Sequence, residues 1–364
     1  MTGQRQERML LVMGFACSSD GWLPLLNVAI KRPTLHPSSS HPALVPQGEA
    51  ITDESQSRTL QVVVFDNRGI GKSSCPASLK LYSTTLMADD AVALMDHLGW
   101  SSAHVVGHSL GGMISAKLAS RHPTRVSSLT IISSTGGGMQ AIPLKWEAVR
   151  YLWSGLMART PQTRAAVDVR FHFCRATRKG VITARGCLVE DVIVEEYVAN
   201  GVLGTPQHAD GQRGQLHAVT SHALTDAEAS GIRNGAFVVK VIHGTHDIIA
   251  LPHYGQRLAR RLGTVAVMVE GAHFSPRENA REVWEELVHT MRSGPKPSPS
   301  GLGSASVLNM TASTASQDRK TRTVPSLHSG GSCWPFACCS PQGSRYQSTT
   351  GEECGKAPAS VQAT

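Results

Sequence analysis

The chain has 364 residues, 41% apolar, 5% aromatic and 17% charged, with a formal net charge of +8 at pH 7. That length and apolar share supply one large core or two small ones and exclude a chain unfolded throughout. The positive charge comes without a dense Lys/Arg run, which excludes nucleic acid as the partner class, and no apolar stretch is long enough for an integral membrane segment.

Residues 9–13, Met-Leu-Leu-Val-Met, follow Arg5 and Arg8 and precede Ala16-Cys17-Ser18. A basic start, a short apolar run and small residues have the outline of a secretory leader. The same run leading into Gly14 reads as a buried parallel strand, and this reading is preferred because the loop after it is needed for chemistry. Residues 31–58 carry Pro33, Pro37, Pro42, Pro46 and the run Ser38-Ser39-Ser40, which predict a flexible insertion without regular structure. Residues 60–65 form a second buried strand that ends in Asp66-Asn67-Arg68-Gly69-Ile70-Gly71-Lys72-Ser73. A phosphate loop ending in Gly71-Lys72-Ser73 requires glycine five positions before Gly71, where Asp66 stands, so that reading fails.

A helix over residues 84–98 follows, capped by Thr84 or Thr85, with Met87, Ala91, Leu94, Met95 and Leu98 on its apolar face and Gly99 at its end. A strand over residues 103–107 drives into a helix near Leu110, whose Met113, Ile114 and Leu118 point inward, and residues 126–132 are again a strand. This alternation predicts an α/β fold with a mainly parallel sheet flanked by helices. Gly136-Gly137-Gly138 breaks the rhythm. Residues 139 to about 230 then read as helices, among them 144–157 and 189–198, the size of an inserted helical cap. Trp146, Tyr151, Trp153, Phe171, Phe173 and Tyr197 are expected in its core or against a pocket. Strands at 237–242 and 265–269 alternate with helices at 254–262 and 277–291, and a Ser/Thr/Gly/Pro-rich stretch closes the chain. The expected organisation is a core in two parts, 1–135 and 231–292, interrupted by a cap at 136–230 and followed by a disordered tail at 293–364.

Cys17, Cys75, Cys174 and Cys187 are scattered through the folded part, which suits free thiols in a reducing, cytoplasmic compartment. Cys333, Cys338, Cys339 and Cys354 lie in the tail without the paired spacing of a zinc site.

The chemistry centres on Gly107-His108-Ser109-Leu110-Gly111-Gly112. The pattern G-x-S-x-G between a strand and a helix is a nucleophile elbow, where a sharp turn holds the serine and side chains at Gly107 or Gly111 would collide across it. A serine hydroxyl needs a base, and the base needs a carboxylate to orient it. Asp247 follows one strand in His243-Gly244-Thr245-His246-Asp247, and His273 follows the next in Gly271-Ala272-His273-Phe274. Catalytic groups gather at the carboxyl ends of strands in such sheets. An oxyanion hole is expected from the backbone N–H groups of Leu110 and Phe15, with Ala16 as the substitute for Phe15. His243 and His246 need not share a face on a post-strand turn, so no metal is expected.

With Leu11-Val12-Met13-Gly14-Phe15, the Asp66–Ser73 loop, the elbow and the two later loops in place, residues 9–291 resemble the α/β-hydrolase superfamily, and most of all its soluble serine esterase-like members. The resemblance implies a triad of Ser109, Asp247 and His273, no cofactor, and a small-molecule ester or related acyl substrate. It implies a mainly structural role for the Asp66–Ser73 loop, and Ser109 argues against the branches that use aspartate there. Thioester, lactone, amide and some C–C substrates share the same triad. A ligand-sensing receptor with slow turnover is the alternative function. Three departures stand out: the usual N-terminal hairpin is missing, residues 31–58 are longer than the usual connection, and the tail has no counterpart. Without the hairpin, the sheet is expected to begin at an exposed edge near residues 61–65.

Overall fold

The computed structural model describes residues 6–30, 51–53, 58–182, 186–200 and 207–294. The prolines and serines of 33–46 and the tail cysteines lie outside them, as do the tail residues past 294.

Strand β1 (Gln6–Val12) is followed by helix α1 (Leu23–Ala29), the short strand β2 (Ile51–Asp53), β3 (Arg58–Phe65) and α2 (Thr84–His97). Then come β4 (Ala103–His108), α3 (Leu110–Arg121) and β5 (Val126–Ile132). Between β5 and the next sheet strand lie α4 (Trp146–Met157), α5 (Pro161–His172), α6 (Arg175–Arg178), a two-stranded ribbon of β6 (Val181–Ile182) and β7 (Cys187–Leu188), α7 (Val189–Asn200), α8 (Ala209–Ser221) and α9 (Asp226–Asn234). The chain returns through β8 (Val238–Gly244), α10 (Pro252–Arg261), β9 (Ala266–Val269), α11 (Ser275–Glu278) and α12 (Ala280–Arg292).

The sheet order is β2-β3-β1-β4-β5-β8-β9, with every pair parallel except β2 against β3. β1 lies between β3 and β4, so the chain winds one way to β3 and then the other way from β4. That reversal makes the carboxyl ends of β1 and β4 the crevice where ligands bind in open α/β sheets. The sheet is buried on both faces, as a parallel sheet must be. Leu10 and Val12 of β1 pack with Val105, Leu129 and Val241 beneath α2 and α3. Met9 and Leu11 point the other way, toward Val106, Ile132 and Ile242 with α1 and α12. The two-residue period of a strand divides the apolar residues between two cores.

Three expectations need correction. Residues 31–58 are not uniformly irregular: Ile51–Asp53 pairs antiparallel with Arg58, Thr59 and Leu60. That pairing reaches only residues 58–60, so among the described residues 61–65 of β3 keep an edge with no strand on the side away from β1, as expected. The cap of α2 is Ser83, whose side chain accepts from the Leu86 N–H at 3.1 Å, in place of Thr84 or Thr85. Ser83 holds the extended backbone that an N-cap requires. Leu98, expected on the apolar face, sits at the helix end and is exposed.

Candidate active site

β1 and β4 run in register, with Val12 opposite Gly107, so the loop leaving β1 meets the turn leaving β4. Ser109 occupies that turn at φ 54°, ψ −117°, a left-handed position that L residues avoid and tight functional turns retain. Its N–H continues the sheet ladder to the Ile132 carbonyl at 2.9 Å, and its carbonyl accepts from the Ser134 hydroxyl at 2.8 Å. A side chain at Gly107 would strike the Gly111 carbonyl and the Ser115 hydroxyl, the collision expected across the elbow. Gly111 is glycine for a different reason: a Cβ there would strike the Val12 carbonyl of the neighbouring strand.

The structure brings the three separated residues together. Ser109 Oγ lies 2.9 Å from His273 Nε2, and His273 Nδ1 lies 2.9 Å from Asp247 Oδ2. The buried carboxylate can only accept, so Nδ1 carries the proton and Nε2 is left to accept from the serine hydroxyl. The other oxygen of Asp247 accepts the backbone N–H groups of Ile249 at 2.8 Å and Ala250 at 2.9 Å. Burial by itself would raise the Asp247 carboxyl. The facing His273 and the hydrogen bond from His243 outweigh burial and hold it well below the usual carboxylate range.

Several supporting residues carry no sequence motif. His108 Nε2 lies 2.9 Å from the His273 carbonyl, so His108 donates there and steadies the loop. Burial and then the nearby His273 push His108 down to about 3, so it remains neutral. Glu278 accepts the backbone N–H of Ala272 with one oxygen and that of Cys174, at 2.8 Å, with the other. Gln215 accepts the Ala16 N–H at 3.0 Å and donates to the Arg68 carbonyl at 2.9 Å. Ala16 is therefore engaged, which leaves Phe15 as the available backbone donor on the β1 loop. Leu110 is the first residue of α3, a position whose N–H has no partner within its helix. The Asp66 loop braces the same region: Asp66 accepts the Ser19 N–H at 2.7 Å, and Asn67 donates to the Met13 carbonyl at 2.8 Å. Such contacts were beyond sequence reading because they join residues up to 199 positions apart.

His243 and His246 face apart. His243 is buried, with Nε2 2.6 Å from the Ala250 carbonyl, whereas His246 is exposed and pairs with Glu270 at 2.6 Å.

A cavity of about 450 Å³ opens over Ser109 and His273, with Phe15 and Leu110 among its lining residues. Its far wall comes from the helices between β5 and β8, including Tyr151, Leu152 and Phe171. Phe173 and Tyr197 are buried in packing. Trp146 and Trp153 take neither expected place, being 78% and 63% exposed.

The alpha/beta hydrolase fold family model matches residues 48–280. Over 88 residues the chain is 40% identical to the "Putative carbamate hydrolase RutD" of Caulobacter segnis, a match spanning 24% of this chain and 31% of that relative. It is 36% identical over 104 residues to the 2-hydroxymuconate semialdehyde hydrolase of Pseudomonas putida, 29% of this chain and 37% of the other. Among solved structures, the enol-lactonase from Burkholderia xenovorans LB400 is similar at TM-score 0.55 and 21% identity, covering 79% of this chain and 92% of its own. The esterase EaEST from Exiguobacterium antarcticum is similar at TM-score 0.54 and 15% identity, covering 80% and 93%. The curated matches span about a third of each relative's length, whereas the family model runs from residue 48, just ahead of the edge strand, to the start of α12. By that match and by its fold, the chain belongs to the α/β-hydrolase family.

Proposed function

We propose that the chain is a serine hydrolase that cleaves a carboxylic ester or related acyl bond through an acyl-Ser109 intermediate. The observation that carries the reading is the continuous relay from Ser109 Oγ through the His273 ring to Asp247. Ser109 Oγ attacks the acyl carbonyl while His273 Nε2 takes its proton. The resulting oxyanion is received by the N–H groups of Leu110 and Phe15, each such donor contributing ~2.7–4 kcal/mol in the transition state. Collapse breaks the bond to the leaving alcohol, which takes the proton from His273. Water, deprotonated by the same nitrogen, then releases the acid and restores Ser109. Asp247 stabilises the imidazolium in both halves, and no cofactor enters the cycle.

Residues 136–230 act in this reading as a cap that shapes the acyl pocket, supported by Tyr151, Leu152 and Phe171 along the cavity wall. The carbamate, enol-lactone and ester substrates named for the similar proteins all present a carbonyl to a nucleophile, which suits the same relay. The cytoplasmic assignment is supported by Cys17, Cys75, Cys174 and Cys187 being free thiols. Among the described residues no helix is long and apolar enough to cross a membrane.

A fluorophosphonate probe tests the nucleophile: the native chain is labelled and Ser109→Ala is not. Equal labelling of the two chains sinks the assignment. Nitrophenyl esters of graded chain length then test turnover. A burst without sustained release favours the ligand-sensing alternative.

A further inference from the structure

Helix α4 has apolar residues both toward the cavity and toward solvent, with Leu152, 49% exposed, between the two sets. Tyr151, Leu152 and Gly155 face the cavity. At the helical spacing of three and four, Trp146, Val149, Trp153 and Leu156 form a separate outer stripe that lies in solvent, with Leu156 71% exposed. The segment before the helix repeats the arrangement: Gln140, Ala141 and Pro143 line the cavity, while Met139, Ile142 and Leu144 are exposed. The cavity wall is thus one layer thick and apolar on its outside. An apolar face of this extent on a monomer marks an interaction surface.

The charges beside it are mostly positive. Between residues 139 and 160 the chain carries Lys145, Arg150 and Arg159 against Glu147 alone. Arg150 sits with its guanidinium carbon 5.1 Å from the Tyr151 ring centroid, at the border between the outer stripe and the cavity side. Tryptophans on an apolar helix face flanked by Lys and Arg are the composition of a helix lying in the interface of an anionic bilayer. A second copy is a poorer occupant, because a two-fold contact over this face sets the same basic flank against itself.

We infer that the outer face of α4 docks on a lipid surface bearing anionic headgroups. The cavity behind it then faces the lipid, and the acyl substrate is a long-chain ester delivered from that surface. The substrate clause rests on the proposed hydrolase function; the docking surface does not.

The test uses the full chain carrying Ser109→Ala and vesicles of phosphatidylcholine with or without phosphatidylglycerol. Co-sedimentation is expected with the anionic vesicles, accompanied by a blue shift in tryptophan emission. Combining Trp146→Ser, Trp153→Ser and Leu156→Ser is expected to weaken binding by on the order of a hundredfold, since each side chain loses its apolar burial. In the Ser109 background the same combination keeps the native melting temperature and the rate on a short soluble ester. Lys145→Gln and Arg150→Gln, which leave the apolar face intact, each cost roughly fivefold on anionic vesicles and nothing on neutral ones. Failure of the Ser109→Ala chain to bind, or equal binding by the triple variant, overturns the inference. So does a dimer in sedimentation velocity that the triple variant converts to monomer, which assigns the face to a second copy. Binding is read on a chain without its nucleophile, so its failure is separable from failure of fluorophosphonate labelling.

Discussion

The elbow and the helical segment between β5 and β8 are built on different terms. At the elbow, position is set by backbone against backbone: Gly111 lies where any side chain would strike the Val12 carbonyl, and Asp247 is held by two main-chain N–H groups. In α4 and α5 of the helical segment, position is set mainly by side chains. α4 buries only Ala148 and Gly155, and α5 is fastened by the Arg164 side chain on the Gly155 carbonyl of α4 and by Arg170 with Glu190 of α7. A site fixed by main-chain contact tolerates little change, whereas a wall fixed by side-chain packing can be repacked to suit another ligand. Under the proposed function, the contrast assigns the reaction to the first region and the choice of substrate to the second.

The largest effect expected from breaking the first region is at the relay itself. His273→Ala should lower kcat by about 10⁶ on any ester, with a native melting curve. Asp247→Asn should follow with a loss of ~10⁴, because the ring then presents the wrong tautomer to Ser109. Single-turnover rates check both, and an Asp247→Asn chain retaining most of its rate would require another carboxylate. Glu270 is not that group, since it is exposed and paired with His246. In the second region, Tyr151→Ala or Phe171→Ala should shift the ratio of kcat/KM between long and short acyl esters by roughly 10–200-fold. The short-ester rate should change little, and a uniform loss across the series would place these rings in the chemistry instead.

The smallest effect sharpens the comparison through pH. Burial holds His108, His172 and His222 neutral, each pushed down to about 3. The unfolded chain takes up those protons near the ordinary histidine value of about 6.5 and the folded chain only near 3, so the unfolded state binds more protons in between. Stability therefore falls as pH drops through that window, each group contributing about 1.4 kcal/mol per pH unit. His108 belongs to the elbow, while His172 and His222 belong to the helical segment. Replacing any of the three with Gln should flatten the acid limb of the melting temperature equally if the regions unfold together. A flattening confined to His108→Gln would show the helical segment melting on its own.

The same contrast decides what was legible in the sequence. The order of the main sheet strands and their helices could be read where a strand is a continuous apolar run or a helix has a 3.6-residue stripe, as in residues 9–13 and Met87-Ala91-Met95. Ser109, Asp247 and His273 could be located because each follows a strand and two flanking glycines announce the elbow. β2 was missed because three residues, Ile51-Thr52-Asp53, hold no periodicity and gain strand character only from β3. The bracing by Gln215, His108 and Glu278 was missed because it depends on which distant backbone atom each side chain reaches. Trp146 and Trp153 were misplaced for an opposite reason: aromatic residues on an amphipathic helix are read as core, and here the helix turns that side to solvent.

Glu278 has one more consequence. Its two carboxylate oxygens accept hydrogen bonds from main-chain N–H groups in two separate parts of the chain, Ala272 next to His273 and Cys174 at the start of α6. Neither amide can exchange with solvent deuterium while the carboxylate is seated, and unseating it frees both. Openings that unseat the carboxylate therefore expose both protons together, although they lie about a hundred residues apart. Any ligand that stills the helices around Cys174 should slow the exchange of Ala272 by the same factor, so occupancy of the pocket can be followed at the histidine loop without any chemistry taking place.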